Sequence, residues 1–372
     1  MTKIVILGAG NGGCACAVDL VLKGFDVTLC SVYNPDHIKP ILDLGGIEYS
    51  GKLGQGFAKV KATDNIAKTI ENADIIIIVA PSSFHAKYIQ ILAPILIKKI
   101  LTDDDNNFEA TKKERIKPFI LLNGNTTGGS LYVSALLRKF GIDNLPVCET
   151  DILNFACRLQ SPTHIKIYHK VKRRLFGCFP SKYRKDTFDI IKNVFPELQL
   201  VDNVLQTSLS NLNSVLHPPG MILNAGWIEH TSGNFLFYSE GVTNSISQVI
   251  ESVDQERLLI MRKLQLRPET LQEILVRCGF VSSVHNSIYD AIHASKTIQF
   301  IKSPENLAHR YLIEDIGYGL VPMSNIASYL DIRTTVTDSL INLACILNNH
   351  DHWNRGLTIQ KLGINNMDLF QV

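Results

Sequence analysis

In the opening stretch KIVILGAGNGG, unbroken apolar residues run straight into a cluster of glycines. This pattern predicts a strand over residues 3–7, then a helix over 12–23 that is rich in small residues and ends at Gly24. A second strand is predicted over 26–30 (DVTLC). Residues 74–80 (DIIIIVA) are continuous and β-branched, the signature of a strand buried on both faces of a parallel sheet. Residues 118–122 (PFILL) read the same way and lead into the glycine-rich turn NGNTTGG at 123–129. Strands alternating with helices imply βαβ units and a doubly wound α/β sheet.

Between the last two strands, residues 98–117 are charged and lack period, which predicts a solvated insertion or extended loop. After Val201 the character changes. Val204, Leu205, Leu209, Leu212 and Leu216 recur at helical spacing, and helical stretches continue to the end. The expected division is a dinucleotide-type domain over 1–202 and an all-helical domain over 203–372, with the cleft between them.

Composition narrows the class. A chain of 372 residues exceeds one simple core. Hydrophobic content of 45%, charged content of 19% and a net charge of +2 describe an ordinary globular protein without a nucleic-acid or membrane field. The short basic run KVKRRL at 170–175 lacks an aromatic platform and reads as the solvated edge of a strand. The eight cysteines form no CxxC pair, which points away from a zinc knuckle and toward a reducing compartment. His350-Asp351-His352 has no third ligand at metal spacing, so no metal is expected. The apolar run before Gly8 is too short for a signal peptide, and residues 75–80 fall far short of a membrane helix. A soluble, cytoplasmic protein is expected, as a monomer or homodimer.

Gly8-x-Gly10-x-x-Gly13 follows a strand and opens a helix. In such a turn the first glycine permits the bend and the second lets a pyrophosphate approach the backbone. The third allows close helix–strand packing, while the helix N-terminus attracts the phosphates. Gly8, Gly10, Asn11, Gly12 and Gly13 are therefore candidate contacts for NAD or NADP. Ser31, Pro81, Ser82 and Asn123, all at the ends of predicted strands, join them. Ser82 is equally readable as a cap of the following helix. The second strand ends in Cys30-Ser31-Val32-Tyr33-Asn34, with neither the acid that marks NAD nor an arginine for NADP. The choice between the two cofactors stays open.

In TSLSNLNSVLHPPG at 207–220, Asn213 and His217 stand four apart, on one face of a helix. With this segment, several separated motifs fall in the order of one family. They are GAGNGG, NADIIIIVAPSSFHA at 72–86, NGNTTGG, ETDILNFACR at 149–158, FYSEGVT at 237–243 and HRYLIEDIGYGLVPMS at 309–324. The sequence resembles the opine dehydrogenases over nearly its whole length.

That resemblance implies a Rossmann domain joined to a helical domain of the 6-phosphogluconate dehydrogenase C-terminal type. It implies NAD(P)H-dependent condensation of an amino acid's amino group with a 2-oxo acid, through an imine reduced by hydride. The family's catalytic pair maps onto His217 and Asp315, its substrate arginine onto Arg310 and its pocket glutamate onto Glu149, with Asn213 beside them. Histidine suits the proton transfers, and a carboxylate partner fixes its tautomer. Arginine offers a planar fork for a carboxylate. Two blander readings stand beside these: internal salt bridges within HRYLIED, and a Glu149 that only ties its strand to the second domain. One departure is Ile274-Leu275, where relatives tend to carry a Trp-Tyr pair bordering the amino-donor side. The alternatives are a 2-oxo acid or hydroxyacid reductase on the same scaffold, or a dinucleotide-binding protein without chemistry.

Overall fold

The computed structural model describes residues 2–106, 118–364, 369 and 372. Among the described residues twelve strands follow in chain order: β1 (Lys3–Leu7), β2 (Asp26–Cys30), β3 (Ile47–Gly51), β4 (Gly56–Ala58), β5 (Lys61–Thr63), β6 (Ile75–Ile78), β7 (Phe119–Leu122), β8 (Val147–Thr150), β9 (Phe155–Ser161), β10 (His164–Lys170), β11 (Arg174–Phe179) and β12 (Leu198–Leu200). Eight form one sheet in the order β12-β11-β8-β7-β6-β1-β2-β5. Its pairs are parallel except β11 against β8. Both sheet faces carry helices, so all four isoleucines of β6 are buried, as are all four residues of β7. The order reverses between β1 and β6. Such a switch point, at the carboxyl ends of the strands, is where doubly wound sheets bind ligands.

A second sheet, β4-β3-β10-β9, was not anticipated. Its strands are half exposed, and β10 pairs in parallel with the distant β3. The HIKIYHK of β10 does alternate, burying Ile165 and Ile167.

The last strand of the large sheet ends at Leu200, and helices follow from Val204. They enclose a separate core that includes Leu216, Phe237, Leu258, Ile316 and Ile341. The helical run expected over 204–216 is broken into Val204–Ser208 and Asn213–Leu223, and the latter continues through Pro218 and Pro219.

Three expectations need correction. Residues 98–106 continue the helix His85–Asn106 instead of forming a loop. Residues 107–117 of that stretch lie outside the described residues. Arg174 of the basic run is fully buried and ion-paired with Glu197 at 2.7 Å, so only part of the run is a solvated edge. Ile274 and Leu275 lie 1% exposed in the helical core, where they line no open surface.

Candidate active site

The glycine turn joins β1 to the helix Asn11–Leu22. Gly8 has φ +114°, and a Cβ there would strike the Val79 carbonyl oxygen at the end of β6. At Gly13 a Cβ would strike the Gly8 carbonyl oxygen, so the helix packs directly on the turn. Gly10 differs. Its φ is an ordinary −83°, and nothing lies within 4 Å of where its Cβ would stand. The helix has no side-chain cap and no acidic residue in its first turn. Uncapped N–H groups beside an open glycine fit a pyrophosphate. Asn11 closes the far side, its Oδ1 accepting from the Leu159 N–H at 2.7 Å.

The loop after β6 leads from this turn to the helical domain. The Ser82 N–H donates to Glu314 Oε1 at 2.7 Å, and its hydroxyl pairs with that of Thr126 at 2.8 Å. Ser82 makes no cap bond to its own helix. Glu314 Oε2 accepts from Arg310 Nε at 2.9 Å, which orients the guanidinium while the Arg310 side chain stays about half exposed. Burial raises the Glu314 pKa and Arg310 opposes it.

Asp315 follows directly and starts a π-helical turn, Asp315–Leu320, a geometry found often at functional sites. Its Oδ2 lies 2.7 Å from His217 Nδ1 across 98 residues of sequence, and both side chains are about 95% buried or more. Nδ1 facing a carboxylate carries the hydrogen, which leaves Nε2 as the working nitrogen of the neutral ring. The Tyr311 ring stacks on the imidazole at 3.6 Å and 13°. Burial raises the Tyr311 pKa, and the nearby Arg158 guanidinium, from β9, opposes it. The Tyr238 hydroxyl lies 2.9 Å from Nε2. His309 caps the helix Arg310–Glu314, and burial together with the nearby His217 lowers its pKa to about 4.

Two candidates are not free for a ligand. Glu149 is fully buried and its carboxylate accepts from Asn125 Nδ2, the Ser130 N–H and the hydroxyls of Thr207 and Ser208. It ties β8 to the first helix of the second domain. Burial raises its pKa against those bonds. Asn123 Oδ1 accepts from Arg174 Nη1 at 2.7 Å and from the Thr150 hydroxyl, while its Nδ2 donates to Asn154 Oδ1. Both are buried beneath the strand ends, where a ligand would leave their bonds unmet. Ser31 is buried with its hydroxyl on the Asn34 carbonyl at 3.3 Å, and Asn213 lies half buried one turn before His217.

Four residues at the site escaped the sequence reading: Tyr238, Tyr311, Glu314 and Arg158. Glu314 carried a signal, its i,i+4 spacing from Arg310. Among the described residues no cluster of three His, Cys, Asp or Glu could hold a metal, and no helix is long and apolar enough to cross a membrane.

A doubly wound domain with an open phosphate turn, joined to helices that bring an imidazole–carboxylate pair to the junction, defines a two-domain NAD(P)-dependent oxidoreductase. The family model for NAD/NADP octopine/nopaline dehydrogenase, alpha-helical domain, matches residues 200–348. The model for NAD-dependent glycerol-3-phosphate dehydrogenase N-terminus matches residues 3–104. The chain is 32% identical to the opine dehydrogenase of Arthrobacter sp. (strain 1C), over 97% of this chain and 95% of that one. It is 26% identical to the protein ocs of Agrobacterium tumefaciens (strain Ach5), over 96% and 95% of the two chains. A solved octopine dehydrogenase with NADH and L-arginine matches with a TM-score of 0.72 and 17% identity, over 98% and 96%. Yersinopine dehydrogenase with NADP+ gives 0.69 and 14%, over 98% and 97%.

The chain belongs to the opine dehydrogenase family. It is an NAD(P)-dependent oxidoreductase that acts on CH–NH bonds by reductive condensation.

Proposed function

We propose that His217 and Asp315 form the general acid/base of this enzyme and that Arg310 binds a substrate carboxylate. One observation carries the reading: the buried 2.7 Å pairing of His217 Nδ1 with Asp315 Oδ2 at the junction of the domains. The substrates are an amino acid and a 2-oxo acid, and the product is a secondary amine with two carboxylates.

Gly8, Gly10, Asn11, Gly12, Gly13, Ser31, Pro81 and Ser82 hold the dinucleotide, its phosphates against the first turn of the helix Asn11–Leu22. When bound, the nicotinamide supplies the hydride that reduces the imine carbon. The protein's own part is proton handling and orientation. Asp315 holds the Nδ1–H tautomer and stabilises the imidazolium. His217 then takes the proton released as the amine adds to the oxo acid and returns one as water leaves. Arg310 has its Nε on Glu314, so both terminal nitrogens remain to fork onto a carboxylate. Stacking by Tyr311 keeps water from one face of the imidazole. The eight free cysteines support a reducing, cytoplasmic setting, with the enzyme acting as a monomer or homodimer.

The test is a screen of NADH and NADPH oxidation that crosses amino acids with pyruvate and 2-oxoglutarate, with products identified by mass. Oxidation should require both substrates. Oxidation with the 2-oxo acid alone, yielding a hydroxyacid, would replace this reading with that of a 2-oxo acid reductase.

A further inference from the structure

His217 has one nitrogen left for chemistry once Nδ1 is committed to Asp315, and that nitrogen is occupied. The Tyr238 hydroxyl lies 2.9 Å from Nε2. Because Nδ1 carries the hydrogen, Nε2 of the neutral ring accepts and the phenol donates. A substrate proton handled by His217 must therefore pass through this hydroxyl or push it aside.

Displacement is the harder course. Tyr238 is 4% exposed and packs edge-on against Phe237 at 5.1 Å and 90°. Its segment is pinned by the Phe237 N–H on the Ile301 carbonyl at 2.8 Å and by the Gly241 N–H on the Leu236 carbonyl at 3.0 Å. Moving the ring would open a hole in a close-packed region. Turning the hydroxyl about its C–O bond needs no such movement, since a phenol both donates and accepts. Burial, with Tyr311 and Asp315 nearby, pushes the Tyr238 pKa well above its ordinary value, so the group stays a neutral phenol throughout.

We infer that Tyr238 extends the Asp315–His217 pair into a three-membered proton relay, with its hydroxyl carrying protons between Nε2 and the substrate. This rests on the acid/base reading of His217 given above. In the condensing direction the imidazolium gives its Nε2 proton to Tyr238 Oη. As it does so, the Tyr238 hydroxyl proton passes to the carbinolamine oxygen, whose bond to carbon breaks as water leaves. Tyr238 begins and ends as a neutral phenol, and no electrons are gained or lost by the relay. The end state, with Nδ1–H on Asp315 and the phenol donating to Nε2, fits the 2.7 Å and 2.9 Å separations in the structure.

Tyr238→Phe removes the one oxygen and keeps the ring. With the amino acid and 2-oxo acid that the screen identifies, single-turnover oxidation of the reduced nicotinamide should slow about 100-fold, the lower end of the range for a lost proton-transfer group. KM for both substrates should stay within about twofold, and the melting temperature should fall by no more than a few degrees, since Nε2 loses one buried donor. The solvent deuterium effect should change from a bowed dependence on deuterium fraction in the wild type, reporting two protons, to a linear one. A Tyr238→Phe rate within twofold of wild type, or a faster one, would show that the hydroxyl is displaced and would overturn the relay. A slower rate whose deuterium dependence stays bowed would also overturn it. His217→Ala, run alongside, separates the two ideas. If His217→Ala keeps full activity, the acid/base reading itself fails, whereas if only Tyr238→Phe does, the relay alone fails.

Discussion

Single side chains at this site are defined by what occupies each of their atoms. His217 is held at Nδ1, at Nε2 and on one ring face. Its replacement by alanine should lower kcat by about 10²–10⁴-fold with little change in dinucleotide affinity, as read by steady-state kinetics and fluorescence titration. His85 makes a different prediction. It is buried at the start of the helix after β6, with Nδ1 unpartnered, and burial lowers its pKa to about 4. The unfolded chain takes up this proton near pH 6.5, before the folded one can. The stability that His85 contributes is therefore fully present above pH 6.5 and is lost as pH falls toward 4. About 2 kcal/mol should be gone by pH 5. Denaturant titrations at pH 7.5 and 5.0 should show this loss, and His85→Gln should diminish it.

At the level of elements, the glycine turn divides into residues that shape the backbone and one that faces open space. Gly13→Ala places a methyl group on the Gly8 carbonyl and should destabilise the protein by about 2–4 kcal/mol, measured by urea denaturation. Gly10→Ala meets no atom and needs no unusual φ, so its melting temperature should match wild type. Its dinucleotide affinity should fall at least about tenfold, because the methyl stands where the pyrophosphate must approach. The reverse outcome, a destabilised Gly10→Ala that binds normally, would place the phosphates elsewhere. This turn was legible because its spacing is local, and so were β1, β2, β6 and β7, whose runs carry their own burial pattern. The four-stranded sheet was not legible in the same way. Its two hairpins, β3–β4 and β9–β10, are local and half exposed, but they join through the pairing of β10 with β3, more than a hundred residues distant, and no local period announces that partnership.

Across the whole molecule, Glu314 and Glu149 are among the carboxylates that join the domains, with Asp151, which pairs with Arg277 at 2.7 Å. Glu314 spans from the helical domain to the Ser82 N–H, and Glu149 collects four donors where β8 meets the helix Val204–Ser208. Glu149→Ala strands those donors in a dry setting and should cost about 3 kcal/mol. Urea denaturation should show an earlier transition. If the two domains then unfold separately, two steps should replace one. An unchanged midpoint would mean that Glu149 adds nothing to the other contacts between the domains, among them Glu314 with Ser82 and Arg277 with Asp151.

The order of apolar runs, the glycine spacing and the shift to helical period after Val201 determined the two kinds of architecture, because each is a short-range property of consecutive residues. The meeting of His217 with Asp315 did not follow from any local pattern. Residues 98 apart come together only when two long segments pack, and the family's motif order, not spacing, pointed to the pair. Only tertiary structure decided that Glu149 and Asn123 are consumed by protein donors and acceptors, that Arg174 is buried, and that a phenol covers the free nitrogen of the imidazole. Each of these depends on which polar atoms are left over after packing, a quantity that exists only once the chain has folded.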